Sequence, residues 1–220
     1  MRSLGIDVGV RKGLDTVLLD DSLTVVEAFR HVELDELGEL IDRSGADVIA
    51  IDSPPSWGSS GAPSRLAERE LRRLGIVSFA TPSDPRSAGH PFYEWMTVGF
   101  DVFQIAGERG YPRYAAGPVR GTALEVFPHA SAIALAGWLP PSRRYKREWR
   151  ARILEEQGVT TEGLLSGDQV DAALAALTGL LALGGKFFAV GDPREGVIVL
   201  PGDAALEPYR RAASAIMEAR

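Results

Sequence analysis

The chain has 220 residues, 45% of them apolar, which is enough for one large domain with a sizeable core. Its formal net charge of −6 argues against a protein that coats nucleic acid nonspecifically, though not against a nuclease, whose metal-holding carboxylates themselves add negative charge. The absence of cysteine excludes disulfides and thiolate metal sites, and no run reaches the roughly 18 apolar residues a membrane helix needs. Asp7 interrupts the first apolar run, so no signal peptide is expected and a cytoplasmic protein with no membrane partner fits.

Ser3 to Val8 reads as a strand, and Leu14 to Leu19 as a second after a tight connection through Arg11, Lys12 and Gly13. Asp20, Asp21 and Ser22 turn the chain into a third, Leu23 to Val32, giving an antiparallel meander. Leu34, Leu37, Leu40 and Ile41 have helical spacing, so residues 33–44 form an amphipathic helix stopped by Gly45. Val48 to Ile51 is a fully apolar strand ending in Asp52. A helix between two strands implies a crossover, so this strand runs parallel to one of the meander.

Two loops rich in Pro, Gly and Ser, SPPSWGSSGAP and PSDPRSAGHP, flank a helix from Ser64 to about Leu74. In the next helix Phe92, Trp95, Met96, Gly99, Phe100 and Phe103 make a stripe expected to pack in the core. Thr122 to Phe127 is a fifth strand. Residues 145–157 form a charged helix, residues 168–183 an apolar one, GVIVLP a late strand or extended segment, and a final helix ends the chain. The expected architecture is one α/β domain: a five-stranded mixed sheet, three antiparallel strands then parallel ones, flanked by helices, with a helical insertion at about residues 54–121.

Asp7 and Asp52 end or nearly end strands that this topology makes neighbours, about 4.8 Å apart. An unpaired buried carboxylate costs several kcal/mol. Two at one level repel each other unless they share a cation, and Mg²⁺ or Mn²⁺ prefers oxygen ligands. In SGDQVDAALAALTGLL, Asp168 and Asp171 lie three apart at the start of a helix that must be buried, so its polar end emerges near the strand ends. Asp168 also reads as a helix cap or dipole partner. Asp171 lies a turn deeper and is harder to explain that way.

The opening GIDVG, the AID strand end and the late DQVDAALAAL helix resemble the ribonuclease H-like fold, the helix being similar to that of bacterial Holliday-junction resolvases. With DSPPSWG, RLAERELRRLG, ALEVFP, YKREWRARI and REGVIVLP in order, nearly the whole chain resembles an uncharacterised bacterial and archaeal family of predicted RNase H-like nucleases. The resemblance implies metal roles for Asp7, Asp52, Asp168 and Asp171, and phosphodiester hydrolysis of nucleic acid with two ions that activate water and stabilise the leaving oxygen.

Glu125 in LEVF is a further catalytic candidate, or else an edge-strand charge. Arg65, Arg69 and Arg72 have spacings that place them on one helix face, either to bind phosphate or as a solvated face paired with Glu68 and Glu70. RRYKREWRAR, with Lys146 the preferred contact and Arg150 beside it, suits a nucleic-acid backbone, with Tyr145 and Trp149 stacking a base or anchoring the helix. Lys12 is a further basic candidate. His31, His90 and His129 read as structural, although His129 lies near Glu125 and could assist proton transfer. A rival reading takes GIDVGVRKG as the first phosphate loop, and Gly184 and Gly185 as adenosine-contacting glycines, of an ATP-binding protein of the sugar kinase, Hsp70 and actin type. Against it, the chain has no repeat, and Asp52 is followed by Ser-Pro-Pro. A third reading is a non-catalytic nucleic-acid-binding or scaffold protein whose carboxylates are diverted into salt bridges with Arg11 or Lys12. A homodimer is compatible with all three.

Overall fold

The meander forms as its apolar runs require. β1 (Arg2–Asp7) pairs antiparallel with β2 (Leu14–Asp20), which pairs antiparallel with β3 (Val25–Val32). α1 (Leu34–Ser44) buries Leu37, Leu40 and Ile41, and ends where Gly45 adopts a left-handed conformation, φ 58°. The crossover returns the chain as β4 (Val48–Asp52), parallel to β1 on the side away from β2. The computed structural model describes residues 1–10, 12–58, 61–83, 89–140, 146–205 and 207–211, of residue 146 the backbone alone. The expected C-terminal helix lies largely outside them.

α2 (Leu66–Arg73), a 3₁₀ turn at Pro91–Tyr93 and α3 (Glu94–Glu108) make up the helical segment before β5 (Ala123–Val126), which lies parallel to β4. α4 (Pro128–Ala136), α5 (Lys146–Glu156) and α6 (Gly167–Leu183) follow, then β6 (Phe187–Asp192) and β7 (Gly196–Pro201). Among the described residues the sheet has seven strands, not five, in the order β3-β2-β1-β4-β5-β7-β6. The two additional strands are a hairpin: β7 adds parallel to β5, and β6 closes the edge antiparallel to β7. Six α-helices are present among the described residues. No helix among those residues is long and apolar enough to cross a membrane.

The contact that positions the site is between β1 and α6. A Cβ on Gly5 would lie 1.9 Å from the Ala172 carbonyl oxygen, and one on Gly179 would lie 2.2 Å from Ser3 Oγ. Small residues on both elements let the helix backbone rest directly on the strand, with its N-terminal turn over the strand ends. Strand alternation then turns Ser3, Gly5 and Asp7 toward α6, while Leu4 and Ile6 enter the apolar layer that includes Leu37 and Ile41 of α1 and Val102 of α3. α3 approaches the end of β4 just as closely, since a Cβ on Gly99 would lie 1.7 Å from Ser53 Oγ.

The α3 stripe is partly corrected. Met96, Gly99 and Phe103 are buried with Val102 and Ala106, but Phe92 is 50% exposed in the 3₁₀ turn and Trp95 lines a cavity. The turn precedes the helix, so the first aromatic falls out of the helical register.

Candidate functional site

Asp7 and Asp52 are register partners on adjacent parallel strands, and they close within hydrogen-bonding reach of each other. Both carboxyls are held well above the ordinary carboxylate range. For Asp7 burial is the main cause, followed by the negative charges of Asp52, Asp171, Asp168 and Asp15. For Asp52 burial again leads, then Asp171, and the Arg150 guanidinium and the contact with Asp7 only partly offset them. Neither carboxyl has a cation of its own among the ion pairs of the described residues.

The start of α6 overhangs this pair. Its N-cap is Ser166, ahead of Asp168: the Ser166 hydroxyl accepts from the Gln169 N–H at 2.9 Å, and Gln169 Oε1 accepts from the Leu165 N–H at 2.7 Å. Asp168 therefore does not cap the helix. It lies exposed in the first turn, near enough to raise Asp7. Asp171 is half-buried and pairs with Arg150 Nε at 3.0 Å. Arg150, expected to contact phosphate, thus stands among the carboxylates.

One member of the cluster escaped the sequence reading. Asp15 is the register partner of Asp7 on the other side, 4% exposed. It accepts from Ser166 Oγ at 2.7 Å and from the His31 N–H at 3.2 Å, and Arg30 stands 3.8 Å away. The signal was present: Asp7 and Asp15 flank the β1–β2 connection symmetrically, so a hairpin pairs them. Asp15 is fully engaged, which makes it a strut between β2 and α6.

Glu125 does flank the site, but it is level with Ile51 rather than Asp52, so alternation turns it away from the aspartate pair. It is 5% exposed and receives a two-pronged bond from Arg65: Nη1 to Oε2 at 2.8 Å and Nη2 to Oε1 at 2.5 Å. Burial still raises its pKa, with Arg65 opposing. Arg65 also donates through Nε to Glu68 Oε1 at 2.9 Å, and Thr81 donates to the same oxygen at 2.8 Å.

The arginine face is therefore corrected. α2 begins at Leu66, and Arg65 is its extended N-cap residue, 1% exposed and turned inward. Arg69 donates to the Ser64 carbonyl at 2.6 Å, and Arg72 is exposed. The three share no face.

Lys12 is exposed in the β1–β2 connection, and its carbonyl contacts His31 Nδ1 at 2.6 Å. Arg11, Tyr145 and the Lys146 side chain fall outside the described residues. Trp149 is 7% exposed in the core, edge-on to His129 and Trp138, so it anchors α5 and does not stack a base. His90 accepts from the Phe92 N–H, a capping role. Gly184 and Gly185 end α6 and turn the chain into β6.

Two cavities meet at Asp52, Ser78, Phe79 and Phe127. One, of about 380 Å³, has Arg65, Glu68 and Glu125 among its lining residues. The other, of about 500 Å³, has His129, Arg150 and Asp171. Among the described residues no three His, Cys, Asp or Glu side chains stand close enough together to hold a metal ion. The arrangement offers a two-carboxylate seat with oxygen donors only. Asp168 stands near it, and Asp171 is drawn toward Arg150.

Neither the curated proteins nor the solved structures contain a match to this chain. The family described as protein of unknown function (DUF429) matches residues 5–195, from Gly5 of β1 to the turn between β6 and β7. That span takes in both carboxylate clusters, and the chain belongs to this family.

Proposed function

We propose that the protein is a metal-dependent nuclease of ribonuclease H-like architecture that hydrolyses phosphodiester bonds, with Asp7 and Asp52 at its centre. The observation that carries the reading is the pair itself: two carboxylates in register at adjacent strand ends, Asp7 raised by burial and by the charge of Asp52, Asp52 by burial and by the charge of Asp171, at the meeting point of two cavities. Such a pair is stabilised by a divalent cation, and oxygen-only donors suit Mg²⁺ or Mn²⁺. When bound, the cation supplies a Lewis acid for phosphate oxygens and a bound water of lowered pKa.

In this reading Asp7 and Asp52 would hold the first ion. Asp168, and Asp171 once parted from Arg150, are the residues available for a second. Arg150, now paired with Asp171, would in that case be free for phosphate, and its planar fork suits two oxygens at once. Glu125 serves as counter-ion to Arg65 and not as a ligand. Nucleic acid is the expected partner.

The test is cleavage of labelled single strands, duplexes, flaps and four-way junctions, of DNA and RNA, in Mg²⁺ or Mn²⁺. Asp7→Asn is expected to lower the rate by at least about 10²-fold, the scale of losing one strong electrostatic contribution to the transition state. A confirmed activity that survives Asp7→Asn sinks the assignment.

The Asp171–Arg150 pair favours a second reading, a nucleic-acid-binding scaffold whose acidic cluster is already partly neutralised. Binding of those substrates with no metal-dependent cleavage of any of them selects it.

A further inference from the structure

We infer that the 380 Å³ cavity beside Asp52 is a nucleobase pocket that selects bases carrying an exocyclic amino group. The inference rests on the nuclease reading for its biological setting, but its geometry stands apart from the aspartate pair.

One wall is aromatic. Phe79 packs edge-on to Phe92 with ring centroids 5.6 Å apart and tilts against Trp95 at 6.0 Å, and Phe127 also lines the cavity. Phe79 and Phe92 are 61% and 50% exposed, unusual for side chains of their size outside a binding surface. The polar lining is acidic on balance. Glu68 and Glu125 outnumber the single Arg65, and Asp52 stands at the boundary with the second cavity. Arg65 directs its guanidinium nitrogens to the two glutamates and, at 3.5 Å, to the Glu195 carbonyl, so it offers no open fork to a phosphate.

Each Glu125 oxygen accepts one bond from Arg65 and keeps a second lone pair, so the completed ion cluster still presents acceptors and a net negative charge to the cavity; with the aromatic wall, that lining is complementary to a flat ring that presents N–H donors. Guanine, adenine and cytosine each present an amino group. Uracil and thymine present two carbonyls around one N–H, and carbonyls set against carboxylates are repelled. The volume lies in the range of small-molecule sites. A base seated here would place its sugar-phosphate toward Asp52 and the second cavity, where Arg150 stands.

The experiment is titration of the full-length protein with guanosine, adenosine, cytidine and uridine, without metal, followed by tryptophan fluorescence and calorimetry. Nucleosides carry no phosphate, so the outcome does not depend on cleavage. At least one amino-bearing nucleoside is expected to bind about tenfold or more tightly than uridine. Phe79→Ala and Phe92→Ala, both exposed positions that leave the fold intact, are each expected to weaken it by about fivefold or more, as loss of a stacking partner does. Arg72→Ala on the outer side of α2 is expected to change nothing. Equal binding of uridine, no binding of any nucleoside, or indifference to both phenylalanine variants overturns the proposal. So does displacement of the nucleoside by tetramethylammonium at comparable affinity, which would mark a cation site instead. Selective nucleoside binding with no metal-dependent cleavage would keep the pocket and reject the nuclease.

Discussion

Glu68 and Glu125 share a buried guanidinium, whereas Asp7 and Asp52 share only each other. Both groups are withdrawn from water beside neighbouring strands of one sheet, and the first is completed by the chain itself: Arg65 forks onto Glu125 and bonds Glu68 of α2, which Thr81 also reaches. The second is left short of positive charge, because Arg150 sits on Asp171 and reaches Asp52 only through its field. A carboxylate cluster that carries its own cation is built for stability. One that lacks it stays high in energy until something from outside binds.

The largest effect that could break this contrast is expected at Arg65. Arg65→Met strands two buried carboxylates and should cost about 3–5 kcal/mol in denaturant unfolding. Arg65→Lys should recover only part of it, since an ammonium cannot fork. Combining Arg65→Met with Glu68→Gln and Glu125→Gln should recover most. If Arg65→Met melts like the parent protein, the first cluster is not structural.

Gly5→Ala should cost about 1–3 kcal/mol, because the added methyl drives α6 off β1. It should also weaken divalent-cation stabilisation, because α6 carries Asp168 and Asp171 over the pair. Cation stabilisation that is unaltered in this variant would detach α6 from the site.

A smaller effect of opposite sign is expected at Asp52. Its carboxyl and that of Asp7 titrate higher in the folded protein than in the unfolded chain. The stability they contribute is therefore fully present below the ordinary carboxylate pKa and is lost as pH rises through their raised values. Metal-free Asp52→Asn should melt higher than the parent at about pH 8, and the difference should vanish by about pH 4, near the carboxylate reference values. Added Mn²⁺ should reverse the order at about pH 8 by stabilising the parent alone. A difference that grows toward acid would refute the direction.

The smallest effect is expected at Arg72. It is exposed, and Arg72→Ala should stay within about 0.5 kcal/mol.

The juxtaposition of Asp7 and Asp52 was legible because topology forces it. Three strands in a meander, a helix and a return strand leave few ways to pair, and each aspartate ends its apolar run. β6 was not legible: Phe187, Phe188 and Ala189 show no alternation, as an edge strand with neither face sealed need not. α4 is nine residues of mostly small apolar side chains with no polar face to mark a period, and only Pro128 and Gly137 punctuate it. Arg65 was misjudged for a different reason. Arginine is ordinarily a surface residue, and its main partner lies 60 positions away, beyond the reach of any local pattern.

The touching of β1 and α6 at Gly5 also dictates where this chain can change in length. Val10, between β1 and β2, faces water, and a residue added there is absorbed by the connection. A residue deleted between Ser3 and Asp7 would swap the two sides of the strand, driving an aspartate into the apolar layer and an isoleucine against a helix that tolerates only hydrogen at that spot. Relatives should therefore differ by insertions in their loops, while the spacing from that glycine to the aspartate stays fixed.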